Sequence, residues 1–138
     1  LKQRISLQLA DSEDLPFKSN SFDGVTAGFG VRNFEHLHKG LEEMYRVLKS
    51  DGVVVILEPS TPKYFPLKQL YNLYFHYILP TIGAWVSKDK KAYAYLPNSV
   101  EAFPSGKDFI LELEKVGFKK GKHMPLTFGI VSLYMAIK

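Results

Sequence analysis

Three places in the chain carry residue types that could do chemistry. Asp11 follows an alternating run from Ile5 to Ala10 and opens an acidic turn, Asp11-Ser12-Glu13-Asp14. An ionised carboxylate only accepts hydrogen bonds, so at a strand end it can take the exocyclic amine of a purine while the next backbone N–H donates to a ring nitrogen. An aspartate there is also an ordinary turn former or helix cap. Gly28 and Gly30 flank Phe29 at the end of a second apolar run. With no Cβ they let backbone approach a ligand closely, or they simply make a tight turn. His36 and His38, two apart where a helical pattern begins, fall on different faces and do not suit joint metal ligation.

The commoner catalytic motifs are absent. The sequence has no G-x-G-x-x-G and no phosphate loop, so a dinucleotide or nucleoside triphosphate has no visible cradle. It has no H-E-x-x-H cluster and no G-x-S-x-G elbow, which leaves a metal enzyme and a serine hydrolase without support. It has no cysteine, hence no disulfide framework, thiolate metal site or cysteine nucleophile. The charge balance, 18 Lys+Arg against 14 Asp+Glu for a net +4, is too mild for a nucleic-acid-binding face. Two basic clusters, Lys88-Asp89-Lys90-Lys91 and Lys119-Lys120-Gly121-Lys122, read as solvated loops.

A scaffold must hold these residues, and 138 residues at 46% hydrophobic content suffice for one folded domain. No run approaches the roughly 18–20 apolar residues of a membrane span, and the opening residues lack a signal peptide's apolar core, so a soluble, unexported protein is expected. The alternation of Ile5, Leu7 and Leu9 predicts a strand, and Phe22 to Phe29 a second. Leu37, Leu41, Met44, Tyr45 and Leu48 recur at threes and fours, predicting a helix from about Glu35 to Lys49, ended by Ser50-Asp51-Gly52. Val53 to Leu57 has the pattern of a buried parallel strand, which completes a βαβ unit.

Leu67, Leu70, Tyr71, Tyr74, Phe75, Tyr77 and Ile78 predict an aromatic-rich helix closed by Pro80. Its apolar residues occupy more than one face, as in a lid or helical insert. Trp85 to Pro104 has no clear period. A further helix has Ser105 as N-cap, Phe109, Ile110, Leu113 and Val116 as its stripe and Gly117 as its stop. Phe118 to His123 and Phe128 to Ile137 close the chain as an antiparallel pair around Met124-Pro125-Leu126. The expected fold is α/β, a mostly parallel sheet with an antiparallel pair at its C-terminal end. In such sheets the ligand lies beyond the carboxyl ends of the strands, here at Asp11-Ser12 and Gly28-Phe29-Gly30.

The string also resembles a known superfamily. Asp11-Ser12-Glu13-Asp14-Leu15-Pro16-Phe17, Asn20-Ser21-Phe22-Asp23 and Glu43-Met44-Tyr45-Arg46-Val47-Leu48-Lys49 with Gly52 are similar to the class I S-adenosylmethionine-dependent methyltransferases. Phe29-Gly30-Val31-Arg32-Asn33, Leu57-Glu58-Pro59-Ser60-Thr61-Pro62, the Tyr71/Tyr74 helix ending in Leu79-Pro80, Tyr95-Leu96 with Ser99, Phe103-Pro104 and Gly129-Ile130-Val131 resemble, more specifically, the ubiquinone/menaquinone biosynthesis C-methyltransferases. The likeness runs from about residue 5 to the end, departing at Lys49-Ser50-Asp51-Gly52, where that family more often has Pro-Gly-Gly. It implies a Rossmann-like sheet whose N-terminal strands and glycine-rich cofactor turn lie upstream of Leu1 and are absent from this chain. Residues 1–138 then form the C-terminal part of a single methyltransferase domain, with a helical substrate-covering insert at about 63–104.

The resemblance implies S-adenosyl-L-methionine as cofactor, with Asp11 and Ser12 at its adenine and Gly28 beside it. It places Arg32 and Asn33 against the substrate ring and the helix bearing Tyr71, Tyr74 and Tyr77 over a prenylated quinol. The implied reaction is methylation of a ring carbon, demethylmenaquinol to menaquinol and/or the benzoquinol step of ubiquinone biosynthesis. A ring carbon becomes nucleophilic once its ortho hydroxyl loses a proton, so an oxyanion must be stabilised. Arg32, permanently cationic, suits that task, and His36, which can titrate near neutral pH, is the alternative proton acceptor. Two other readings remain open: a non-catalytic methyltransferase-like subunit that binds prenyl quinones or scaffolds partner enzymes, and a methyltransferase for another small molecule. The expected location is cytoplasmic, with peripheral contact at the inner face of the membrane through the basic loops. No metal and no nucleic acid enter this reading. The missing strands would leave the Phe22–Phe29 strand with an open edge, from which a homodimer or strand-exchanged oligomer is expected.

Overall fold

The computed structural model describes residues 5–78, 81 and 98–138. Lys88 to Lys91, Leu79-Pro80, Tyr95-Leu96 and most of the stretch from Trp85 onward lie outside the described residues. Four strands form one sheet: β1 (Phe22–Gly28), β2 (Leu48–Pro59), β3 (Lys119–Leu126) and β4 (Val131–Ile137), in the order β1-β2-β4-β3. The expected α/β class holds as a mixed sheet. β1 and β2 run parallel, joined by the helix α1 (Leu37–Val47), while β4 is antiparallel to both β2 and β3.

Alternation in β2 and β4 builds the core. Val54 and Ile56 of β2 and Tyr134 and Ala136 of β4 share one face of the sheet, in register with one another. Leu41 and Met44 of α1 and Phe109 and Leu113 of the helix α3 (Lys107–Val116) cover that face. α1 is shorter than its periodicity predicts because Leu48 turns to extended backbone and begins β2 with no intervening loop. The Lys138 ammonium donates to the carbonyls of Arg46 and Leu48 at this helix end, 3.4 and 2.7 Å away, where the helix dipole favours a cation. α3 ends as expected on Gly117, in left-handed backbone with φ 114°, which a side chain would strain.

Several expectations need correction. Residues 5–10 form no strand: Leu7 and Leu9 are fully solvent-exposed, and β1 pairs only with β2 among the described residues. Alternation selects a face, but a strand also needs a neighbour for its backbone groups. The N-cap of α3 is Gly106, with φ 65°, in place of Ser105; its N–H is already satisfied by the Tyr134 hydroxyl at 2.9 Å. Met124-Pro125-Leu126 belongs to β3, and the turn into β4 is Thr127–Gly129. Lys119, Lys120 and Lys122 are therefore exposed on a strand and not in a loop. The aromatic helix divides into α2 (Leu67–Leu73) and a π-helical turn, Tyr74–Ile78. Among the described residues no helix is long and apolar enough to cross a membrane.

Candidate functional site

The inward phase of β2 runs Val54, Ile56 and then Glu58, so the alternation that builds the core also carries a carboxylate into it, at 0% exposure. Such a charge persists inside only when paired and hydrogen-bonded. Glu58 Oε1 accepts from Val31 N–H at 2.7 Å, and Oε2 accepts from Arg32 Nη1 at 3.0 Å. Nη1 also donates to Phe29 O at 2.6 Å, fixing the guanidinium between the carboxyl ends of β1 and β2. Arg32 Nε is buried with no partner among the described residues, a spare donor on a held cation. Arg32 lines a cavity of about 320 Å³ together with Val31, Phe34, Leu37, Ser99 and Phe103. A preorganised cation beside a mostly apolar space can stabilise an oxyanion on a flat apolar ligand.

A second cavity, of about 390 Å³, lies across the segment 103–106: Phe103 and Pro104 line the first, Ser105 and Gly106 the second. Tyr64, Leu67 and Phe128 give it apolar walls. Sheet register builds its polar side. Ser132 stands opposite Glu58 in the β2–β4 ladder, and His123 opposite Tyr134 in the β3–β4 ladder. His123 Nε2 lies 2.9 Å from Ser132 Oγ, which donates to Ser60 Oγ at 2.9 Å, which donates to Gly129 O at 2.8 Å. The imidazole stacks on the Tyr134 ring, centroids 5.0 Å apart. Burial, with nearby Lys63 adding to it, lowers the His123 pKa from its ordinary 6.5, so the ring is neutral at neutral pH. In the β3–β4 turn Thr127 and Phe128 hold φ of 47° and 59°, a left-handed backbone uncommon for non-glycine residues.

The acidic loop is fastened to α1. Asp11 Oδ1 accepts from Glu13 N–H at 2.9 Å, and Glu13 accepts from His36 N–H at 2.8 Å with its other oxygen 3.0 Å from His36 Nδ1. Glu43 accepts from Leu15 N–H, while Arg46 donates to the carbonyls of Leu15 and Phe17. The His36 backbone N–H, then its ring, holds the Glu13 carboxyl below its ordinary 4.5, and the Arg46 guanidinium does the same for Glu43. A carboxylate with a lowered folded pKa contributes stability that is present above its unfolded pKa and lost as pH falls through the folded one. Glu13→Gln is therefore expected to destabilise the protein at pH 7 and to converge with the parent in acid, as pH falls through the lowered folded-state pKa of Glu13, read from urea unfolding at each pH. A gap that persists unchanged into acid would rule the clamp out as its source.

The family model described as the ubiE/COQ5 methyltransferase family matches residues 1–138, the whole chain. The chain belongs to that family. A demethylmenaquinone methyltransferase of Bacteroides fragilis is 48% identical over 138 residues, covering 100% of this chain and 56% of the relative. A ubiquinone/menaquinone biosynthesis C-methyltransferase UbiE of Geotalea daltonii is 50% identical over 135 residues, covering 98% of this chain and 57% of the relative. The chain thus spans little more than half the length of the curated relatives it matches. Among solved structures, a possible histamine N-methyltransferase from Thermotoga maritima superposes with TM-score 0.63 at 16% identity, over 99% of this chain and 66% of that one. A SAM-dependent methyltransferase from Aquifex aeolicus gives 0.61 at 16%, over 96% and 54%. At such identities these two show the fold alone.

For this member of the ubiE/COQ5 family the structure places the sequence-derived residues in three groups. Arg32 and Asn33 sit on the turn after β1, with His36 just beyond them before α1; Arg32 lines the cavity of about 320 Å³, while the His36 side chain is 66% exposed and engaged with Glu13. Asp11 and Ser12 lie on the clamped loop. Gly28 ends β1, and a Cβ added there would meet nothing within 4 Å. Tyr71 is buried and stacked on Phe75, its hydroxyl unpartnered among the described residues and its pKa pushed up to about 12 by burial, with Glu101 adding to it. Tyr74 and Tyr77 are exposed on the π-helical turn. Glu58, Lys63, His123 and Ser132 were missed by motif reading. For Glu58 and Ser132 the signal is a polar residue in the buried phase of an apolar strand, Glu58 after Val54 and Ile56 and Ser132 before Tyr134 and Ala136; Lys63 and His123 carry none.

Proposed function

We propose that the chain is the substrate-facing part of an S-adenosylmethionine-dependent C-methyltransferase acting on a prenylated quinol, demethylmenaquinol first. The observation that carries the reading is Arg32, held by the buried Glu58 at the strand ends beside an apolar-lined cavity. The names of the two relatives support the choice of quinol. Open space at Gly28 and the second Asp11 oxygen, which has no partner among the described residues, fit the cofactor: Asp11 and Ser12 would hold its adenine, and Gly28 would let it lie against the β1 end. When bound, S-adenosylmethionine supplies an electrophilic methyl group. Arg32 then faces the oxyanion left when the ring hydroxyl is deprotonated, Asn33 orients the ring, and the exposed Tyr74 and Tyr77 meet the prenyl chain beside buried Tyr71. His36, through Glu13, fixes the Asp11 loop.

The test is product analysis of the native-length protein with demethylmenaquinol and, separately, a prenylated benzoquinol. Turnover of neither would overturn the reading. Arg32→Lys keeps a cation for Glu58 but loses the planar fork, so kcat is expected to fall about 10- to 100-fold with little change in KM. Among the described residues β1 pairs on one side alone, which supports pairing of two copies through that strand, and exposed Tyr64, Phe65 and Tyr77 support contact with a lipid surface. A monomer by light scattering, and no sedimentation with anionic vesicles, would remove these two points.

A further inference from the structure

We infer that Phe34, seated on Gly40 of α1, sets the width of the cavity beside Arg32 and so admits a two-ring substrate there, an inference that rests on the proposed reading of that cavity as the quinol site. Neither residue carries a reacting group. Gly40 is a positioning residue, and it acts through the Phe34 ring.

A glycine inside a helix calls for a reason, because alanine is the better helix former and glycine loses the most backbone entropy on folding. Gly40 is buried in the first turn of α1, with its N–H donating to His36 O at 3.2 Å. Its φ is not among the positive values found at Gly106, Gly117 and Gly129, so the backbone does not require it. Space does. A Cβ added at Gly40 would overlap Phe34 Cδ2 and Cε2 and stand 3.2 Å from Cγ. The Phe34 ring thus occupies the place a side chain at position 40 would take, directly against the helix backbone.

The same ring lines the cavity of about 320 Å³ with Arg32, Leu37 and Phe103. Its backbone cannot retreat, because Phe34 N–H donates to Val31 O at 3.2 Å and Val31 N–H is itself held by the buried Glu58. Phe34 also packs against the core cluster that includes Val31 and Leu41, and a close-packed core does not yield. A ring pushed off Gly40 therefore moves into the cavity. The missing Cβ is what keeps that wall back.

The size of the cavity makes the wall matter. At about 320 Å³ it lies near the lower limit for small-molecule sites, so little room is spare. A two-ring quinol carries four more ring carbons than a one-ring quinol, and those carbons lose their place first when the wall advances. A single methylene in an apolar pocket already changes discrimination about tenfold or more. A one-ring quinol, which leaves part of the space unfilled, tolerates the same advance.

The test uses the native-length protein with 1-naphthol and phenol as two-ring and one-ring probes, each titrated at pH 7. The reporter is the proton–nitrogen-15 resonance of Arg32 Nε–H, which is buried and has no partner among the described residues. The parent is expected to bind 1-naphthol more tightly than phenol. Gly40→Ala is expected to raise the 1-naphthol dissociation constant at least about tenfold and to leave that of phenol within about twofold. Phe34→Trp, which thickens the same wall with the helix unchanged, is expected to show the same selective loss, so the test does not depend on Gly40→Ala folding. In Gly40→Ala/Phe34→Leu the shorter side chain clears the new Cβ, and 1-naphthol binding is expected to return to within about threefold of the parent. Equal weakening of both probes in the narrowed variants, no recovery in the double variant, or no response of Arg32 Nε–H to either probe in the parent would each overturn the inference. Kinetics separate it from the methylation itself. Turnover of neither quinol by the parent overturns the methylation and leaves the probe ratios as the measure of the wall. With turnover, Gly40→Ala is expected to raise KM for demethylmenaquinol about tenfold with little change in kcat, because the wall touches the ring in ground and transition states alike, and an unchanged KM overturns the wall alone.

Discussion

Glu58→Gln is expected to lower the unfolding free energy by about 3 kcal/mol, because it removes one partner of a buried ion pair and leaves the other charge inside. Glu58 is wholly buried, and the Arg32 side chain is only 11% exposed. The amide keeps one accepting oxygen, enough for Val31 N–H, but turns donors towards Nη1, which already donates. Among the described residues the guanidinium then keeps Phe29 O as its remaining partner. Exposed pairs such as Lys49–Asp23 and Lys115–Glu112 contribute roughly 0–1 kcal/mol, so the contrast is one of burial and not of ion-pair count. Urea unfolding of Glu58→Gln and of Glu112→Gln, measured together, separates the two cases. A Glu58→Gln loss no larger than that of Glu112→Gln would show that the pair is not energetically buried. The same variant reports on function, since a guanidinium released from Glu58 no longer holds its place beside the cavity.

What could be read from the sequence follows from the range over which each signal acts. α1 and α3 were legible because a stripe at threes and fours is a local property, and the Gly117 stop is a local backbone requirement. β2 was legible as a β-branched run. Residues 5–10 were not, because Ile5, Leu7 and Leu9 state which face would be buried and say nothing of a pairing partner. The cap of α3 was misplaced by one residue because the group that satisfies Gly106 N–H, the Tyr134 hydroxyl, lies 28 residues away. The division of the aromatic helix at Tyr74 leaves no mark in apolar spacing, since both halves carry exposed apolar side chains, Leu70 and Leu73 before it and Tyr74, Tyr77 and Ile78 after.

The candidate sites divide along the same line. Arg32 was found through its resemblance to a family segment, and its partner Glu58 was quoted in a matching segment without a role. Ser60, His123, Gly129 and Ser132 are brought together only by the register of β2, β4 and β3, so spacing along the chain could not group them. Once the strands are aligned, Ser132 is conspicuous as a hydroxyl in the buried row between Glu58 and Tyr134.

Phe109→Ala is expected to cost about 4 kcal/mol, the upper part of the range for removing a buried aromatic ring. Phe109 is fully buried at the first turn of α3, with ring centroids 4.9 Å from Phe103 and 4.6 Å from Tyr134. Its neighbours belong to three separate elements: the 103–106 segment, β4 and α1. They cannot all close on the space left, so a cavity remains and adds to the lost transfer free energy. Leu111→Ala, two residues along the same helix at a position 53% exposed, is expected to change stability by less than about 1 kcal/mol and serves as the helix control. The two rings Phe109 touches also govern both cavities: Phe103 lines the one beside Arg32, and Tyr134 stacks on His123 in the other. Phe109→Leu, which restores most of the volume, should therefore recover much of the stability while leaving the imidazole less firmly stacked. A urea midpoint near the parent for Phe109→Ala would mean that the core between α3 and the sheet collapses onto the gap, and the wall between the two cavities would then have to move with it.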